Sequence, residues 1–142
     1  ENAIMAWRSA EIAGYAADLG FKVVVAPNEC FYFDHRQFNS GDRYKYFGYN
    51  VSTLRKVYEF NPLVEVKERD FILGVQACAW AERMNDFENV QWKVFPRICA
   101  LAEVAWTKPD LKDFTEFKSG LVEVHLRRLK ELNINYAHKR NK

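Results

Sequence analysis

Two short frames in this sequence set an aromatic ring two residues before a carboxylate: Tyr32-Phe33-Asp34 and Trp80-Ala81-Glu82. In extended backbone, residues i and i+2 point to the same side, so each frame projects its ring and its acid together. The ring offers a flat apolar face to the C–H side of a pyranose, and the carboxylate accepts hydrogen bonds from two hydroxyls. That is the chemistry of a sugar site. Trp7 closes an earlier apolar run and supplies a third ring. Taken singly, each frame fits an exposed loop as well as a site. Two frames following successive strands, with Trp7 beside them, point to a site. His35, His125 and His138 have no Ser or Cys in a triad arrangement, and no Gly-rich phosphate loop occurs.

The elements that must position these frames alternate β-rich runs with helical patterns, as βαβ units of a parallel sheet do. The pattern predicts strands near residues 3–7, 21–26 and 71–77. Trp7 and both frames then fall at or past strand C-termini, where α/β sheets and barrels hold ligands. A helix over residues 9–19 places Ile12, Tyr15, Ala16 and Leu19 on one face and ends at Gly20, in the position of a C′ glycine. The nearly continuous β-branched run of the second strand predicts cover on both faces. A long polar, aromatic-rich connection runs from Pro27 to about Asn50. Connections of that length are usually functional. Ser52 is expected to cap a short helix carrying Leu54, Val57 and Tyr58. After the third strand the chain reads as loop up to Pro96, which starts a helix with Ile98, Leu101, Ala102 and Ala105. Asp113 and Glu116 predict a capping box for one last helix carrying Phe114, Phe117, Leu121, Val124 and Leu129, with Gly120 as its weak point.

Composition narrows the function class. Hydrophobic residues make up 49% of the 142 residues, which excludes disorder and allows a core without staples. Twenty-one basic against nineteen acidic residues give no electrostatic case for nucleic acid. Arg127, Arg128 and Lys130 read as a solvated helix face. Cys30, Cys78 and Cys99 are odd in number and widely spaced, so free thiols are expected, with no metal and no cofactor. No run approaches the roughly eighteen apolar residues of a membrane span. The chain opens without an initiator Met, directly into a strand, and is expected to be part of something longer.

At this point the residues carry a resemblance. Phe31-Tyr32-Phe33-Asp34, the stretch Leu73-Gly74-Val75-Gln76-Ala77-Cys78-Ala79-Trp80-Ala81-Glu82, and Phe95-Pro96-Arg97-Ile98-Cys99-Ala100-Leu101-Ala102-Glu103-Val104-Ala105-Trp106 resemble family-20 glycoside hydrolases, the β-N-acetylhexosaminidases. The resemblance implies an α/β chain that is the C-terminal portion of a (β/α)8 TIM barrel, strands six to eight, as one partial domain over residues 1–142. It also implies that Trp7 and Trp80 wall the pocket for the acetamido group of an N-acetylhexosamine-containing glycan. Tyr32 would be the catalytic residue present, hydrogen-bonding the acetamido carbonyl oxygen, while Asp34 and Glu82 bind sugar hydroxyls. In this family the substrate's own acetamido oxygen attacks the anomeric carbon, and an Asp-Glu pair steers it and supplies the acid.

No Asp-Glu dipeptide occurs in these 142 residues, and the sugar-anchoring Arg of the first strand is missing too. Gly120 stands where the family has an Arg. The chain is therefore expected to be half an active site, inactive alone. It would either self-associate or pair with the missing N-terminal half of the barrel. The alternative is a non-catalytic carbohydrate-binding or assembly module on the same half barrel. By the same resemblance the setting is periplasmic, extracellular or lysosomal.

Overall fold

The computed structural model describes residues 2–44, 50–64 and 66–138. Lys45–Tyr49 of the aromatic-rich connection and the basic tail Lys139–Lys142 lie outside them. Three strands, β1 (Ala3–Ala6), β2 (Lys22–Val25) and β3 (Ile72–Val75), form one parallel sheet in the order β1-β2-β3. Each is shorter than its sequence pattern predicts. The hydrogen bonding nevertheless runs on beyond the strands. Ala26 N donates to Ala6 O, Gln76 N to Val25 O and Cys78 N to Phe31 O.

Helix α1 (Ala10–Asp18) is capped by Ser9, whose hydroxyl accepts from the Ile12 amide. Gly20 stands beyond its end at φ +84°, a conformation glycine adopts without steric penalty. The face it packs on the sheet differs from the predicted one. Ala13, Ala16 and Ala17 are buried, whereas Ile12, Tyr15 and Leu19 are exposed. Small side chains let the helix approach the sheet, and the larger apolar ones face outward. β2 likewise alternates: Val23 and Val25 are fully buried, while Lys22 and Val24 are only half-buried. One face is covered completely, and the expectation of two does not hold.

Past β2 a single helical turn, α2 (Asn28–Phe31), opens the long connection, and α3 (Leu54–Glu59) closes it. Thr53, and not Ser52, caps α3 by accepting from the Lys56 amide. Ser52 is buried and its hydroxyl donates to Cys30 O. The stretch read as loop before Pro96 holds a helix, α4 (Phe87–Val94), capped by Asp86. Its buried positions, Asn89, Trp92 and Lys93, trace no hydrophobic period. Pro96 then caps α5 (Arg97–Trp106). Asp113 accepts from the Thr115 and Glu116 amides at the start of α6 (Phe114–Gly120). The last helix is not continuous. A π-helical turn over Leu121–His125 separates α6 from α7 (Leu126–Glu131), directly after Gly120. The extra residue in that turn rotates Val124 outward, while Leu121 and Leu129 stay buried. Phe114 and Phe117 pack on Tyr58, with ring centroids 5.3 and 4.7 Å away. Of the thiols, Cys30 is buried and Cys78 and Cys99 are half-buried, all three free. Among the described residues no helix is long and apolar enough to cross a membrane.

β3 carries one irregularity. Val23 pairs with Ile72 but Val24 pairs with Gly74, so Leu73 is an extra residue in the ladder. Gly74 sits at φ +149°, a region closed to side-chain-bearing residues. A Cβ there would touch nothing within 4 Å, so the penalty for adding one is conformational alone. Gly74→Ala should therefore lower stability by about 1–3 kcal/mol in urea titrations of the folded protein. An unchanged midpoint would contradict the bulge.

Candidate functional site

The bulged strand and the bridges beyond the sheet bring two loops together. Tyr32 and Cys78 form an isolated parallel bridge, with Phe33 N donating to Cys78 O at 2.7 Å. Neither aromatic–acid frame is extended, so the alternation that paired their side chains does not operate. Residues 33–35 turn, with His35 N donating to Tyr32 O, and Trp80 caps a 3-10 turn over Ala81–Arg83. The frames meet all the same. The rings of Tyr32 and Trp80 lie 5.8 Å apart between centroids, tilted by 58°.

Around them lies an open cavity of about 440 Å³, lined by Asn28, Tyr32, Asp34, His35, Asn50, Trp80 and Glu82. Four of the five residues chosen from the sequence are in it. Trp7 is not: its ring is 41% exposed at the open edge of the sheet, with the Arg8 guanidinium 5.0 Å from its centroid. Its backbone does touch the site, since Trp7 O accepts from the amide of Asn28. A larger groove of about 720 Å³ lies against α5 and α6. Two of its three acids are already engaged there. Glu103 accepts from the Thr107 hydroxyl, and Asp113 caps α6.

Within the cavity the polar groups are unevenly satisfied. Asp34 is 9% exposed, and its Oδ1 is buried without a hydrogen-bond partner. Leaving a carboxylate oxygen so placed is unfavourable unless a ligand hydroxyl meets it. Glu82 is exposed at the cavity's rim, and Trp80 offers a ring 45% exposed. Burial, then the neighbouring Cys78 and Asp34, push the Tyr32 phenol above its ordinary range, outweighing the Trp80 contact that lowers it. Tyr32 therefore keeps its proton at neutral pH and presents a donor. The arrangement gives a ring to stack on, a phenol to donate and two carboxylates to accept. Among the described residues no group of three or more His, Cys, Asp or Glu is placed to hold a metal.

Sequence reasoning missed Asn28, His35 and Asn50. His35 follows directly on the Tyr32 frame and was readable by adjacency; Asn50 lies eighteen residues beyond Tyr32, and no spacing rule reaches it. The His35 imidazole is buried, which holds its pKa below 6.5 against the opposing pull of Asp34 and with the help of Arg97, Lys93 and Lys56. Unfolded, it titrates near 6.5, so between the two values the unfolded chain binds more protons. Stability should thus decline as pH falls below about 6.5 and level off once the folded value is passed. His35→Gln should flatten that decline in urea midpoints taken from about pH 7.5 to pH 5; an identical slope in the variant would refute this account.

The chain is similar to known proteins both in sequence and in fold. The sequence model described as "Glycosyl hydrolase family 20, catalytic domain" matches residues 1–109. A beta-hexosaminidase of Porphyromonas gingivalis is 33% identical over 118 residues, covering 80% of this chain and 15% of that protein. A second, from Vibrio furnissii, is 32% identical over 106 residues, covering 72% of this chain and 17% of that one. Among solved structures, the GH20 exo beta-N-acetylglucosaminidase of Vibrio harveyi in complex with N-acetylglucosamine matches with a TM-score of 0.88 at 31% identity. It covers 98% of this chain and 22% of that one. The chain thus spans between 15% and 22% of the length of these three relatives.

Proposed function

The chain belongs to glycosyl hydrolase family 20, and from that premise we propose that it supplies the sugar-holding half of a retaining exo-β-N-acetylhexosaminidase. Its three strands would be strands six to eight of a (β/α)8 barrel, and residues 1–142 one partial domain. The observation that carries the reading is the cavity itself. A tryptophan face, a protonated phenol and an unpartnered carboxylate oxygen converge beyond the C-terminal ends of a parallel sheet. Trp80 stacks on the ring of a terminal N-acetylglucosamine or N-acetylgalactosamine, and Asp34 and Glu82 accept from its hydroxyls. Tyr32 donates to the acetamido carbonyl oxygen and so aims it at the anomeric carbon. Trp7 completes the acetamido wall once the neighbouring strand covers its exposed edge.

General acid catalysis requires a carboxylic acid of raised pKa beside the glycosidic oxygen. Asp34 and Glu82 are the acids lining this cavity, and both are engaged with hydroxyls in the proposed pose. The acid, and the group that orients the acetamido nitrogen, must therefore come from outside these 142 residues. Periplasmic, extracellular or lysosomal glycans are the proposed substrates.

Steady-state kinetics on the full-length protein with an aryl N-acetyl-β-glucosaminide test this reading. Tyr32→Phe should lower kcat by about 10²-fold with little change in KM, since its hydrogen bond orients the acetamido oxygen for attack on the anomeric carbon. Asp34→Asn should raise KM by about tenfold or more, the worth of a charged hydrogen bond. A Tyr32→Phe protein with unchanged kcat would sink the assignment.

The 142-residue chain alone should show no measurable turnover, because a missing general acid alone removes about 10²–10⁴ in rate. With β1 and β3 each open along one edge, it should also self-associate. Full activity, or a strict monomer by light scattering at high concentration, would count against the half-barrel reading.

A further inference from the structure

Arg97 is fully buried, yet it opens α5 with no carboxylate bonded to it; its guanidinium is bonded to backbone carbonyls instead. Nη1 donates to Ser52 O at 2.9 Å, and Nη2 donates to Phe33 O, to His35 O at 3.2 Å and to Lys93 O at 2.6 Å. Phe33 and His35 are the residues on either side of Asp34. Ser52 closes the same connection two residues after Asn50. The fork therefore gathers the outgoing and returning limbs of the loop that carries Tyr32, Asp34, His35 and Asn50. The face of the guanidinium lies 4.6 Å from the centroid of the Phe33 ring, fixing the one side chain between Tyr32 and Asp34. Arg36 O accepts from Ser52 N at 2.9 Å, and Arg36 pairs with Val51, so the limbs also bond each other directly above the fork.

We propose that Arg97 is a positioning residue: by gripping the carbonyls on both sides of Asp34 it sets where that carboxylate stands in the sugar cavity. This rests on the reading of the cavity as a hexosaminidase subsite. A planar fork can hold several carbonyls at fixed angles, which a lysine ammonium cannot, so the geometry depends on guanidinium and not on charge alone. Burial pulls the guanidinium pKa down to about 9, with Asp42 and Asp34 opposing, and Arg97 stays charged at neutral pH.

The test uses the full-length protein with Arg97→Lys, Asp34→Asn and the double variant. If Arg97 acts through Asp34, Arg97→Lys should lower kcat/KM by about tenfold in the wild-type background, mostly through KM, and by less than about twofold in the Asp34→Asn background. The same factor in both backgrounds would overturn the proposal, because a general structural role ignores whether Asp34 is present. The second measurement does not need activity. Amide hydrogen exchange of residues 33–37 and 52 should quicken about tenfold in Arg97→Lys, with β1, β2 and α5 unchanged. Unchanged exchange in that segment would overturn the anchoring itself. So would an Arg97→Lys protein that fails to fold, since Arg97 would then be holding the whole fold and not the site. A wild-type protein with no hexosaminidase activity would remove the functional reading, while the exchange result would still decide the anchoring.

Discussion

Burying a guanidinium is unfavourable unless its donors find acceptors, and at Arg97 both terminal nitrogens find them while the buried Nε does not. Four backbone carbonyls from three separate segments turn inward to meet it. Three of those carbonyls belong to irregular backbone and the fourth, Lys93 O, to the last turn of α4, where no helical partner follows. The arrangement solves two problems at once: the cation is solvated by the protein, and the loop's orphan acceptors are paired. Removing the donor would leave several buried carbonyls unmatched, at about 1–3 kcal/mol each. Gln37 repeats the device nearby, its amide nitrogen donating to Trp92 O and Phe95 O.

From this centre the loop and its cavity are arranged outward. The loop limbs are held above the sheet, so Phe31 and Phe33 can sink into the core that α3 and α5 share with Tyr58 and Val104. Phe33 packs in that core while its neighbours Tyr32 and Asp34 line the cavity. The bridge of Tyr32 to Cys78 then ties that loop to the segment leading out of β3, and Trp80 arrives beside Tyr32. On the far side of the connection, Asp42 accepts from the Gln37 amide and the Trp92 indole. Site and core are thus one hydrogen-bonded piece, and the cavity's shape is set by groups that never face it.

The sequence exposed the alternation of strands and helices, because hydrophobic period and capping residues are local properties. It also exposed Tyr32, Asp34, Trp80 and Glu82, though for a reason that does not apply. The extended-backbone parity that linked each pair is absent, and tertiary bridges bring the four together instead. Helix α1 shows why a face cannot be read from apolar spacing alone: Ala and large apolar residues both fit the period, and close packing on the sheet chose the small ones. α4 escaped because its buried positions include Asn89 and Lys93, which no hydrophobic period records. Arg97 was legible only as part of a motif. Its role depends on carbonyls contributed by residues as distant in sequence as Phe33, and backbone acceptors carry no residue type.

The extra residue at Leu73 has a consequence for how this chain can change length. Because side chains alternate along a strand, one added residue reverses which of them face inward from that point on. The bulge absorbs the added residue at Gly74 and restores the phase before Val75 pairs with Val25. The four residues Ile72 to Val75 are therefore counted as well as composed. Deleting a single residue in that interval would shift the pairing of Val75 with Val25 unless the bulge vanished with it.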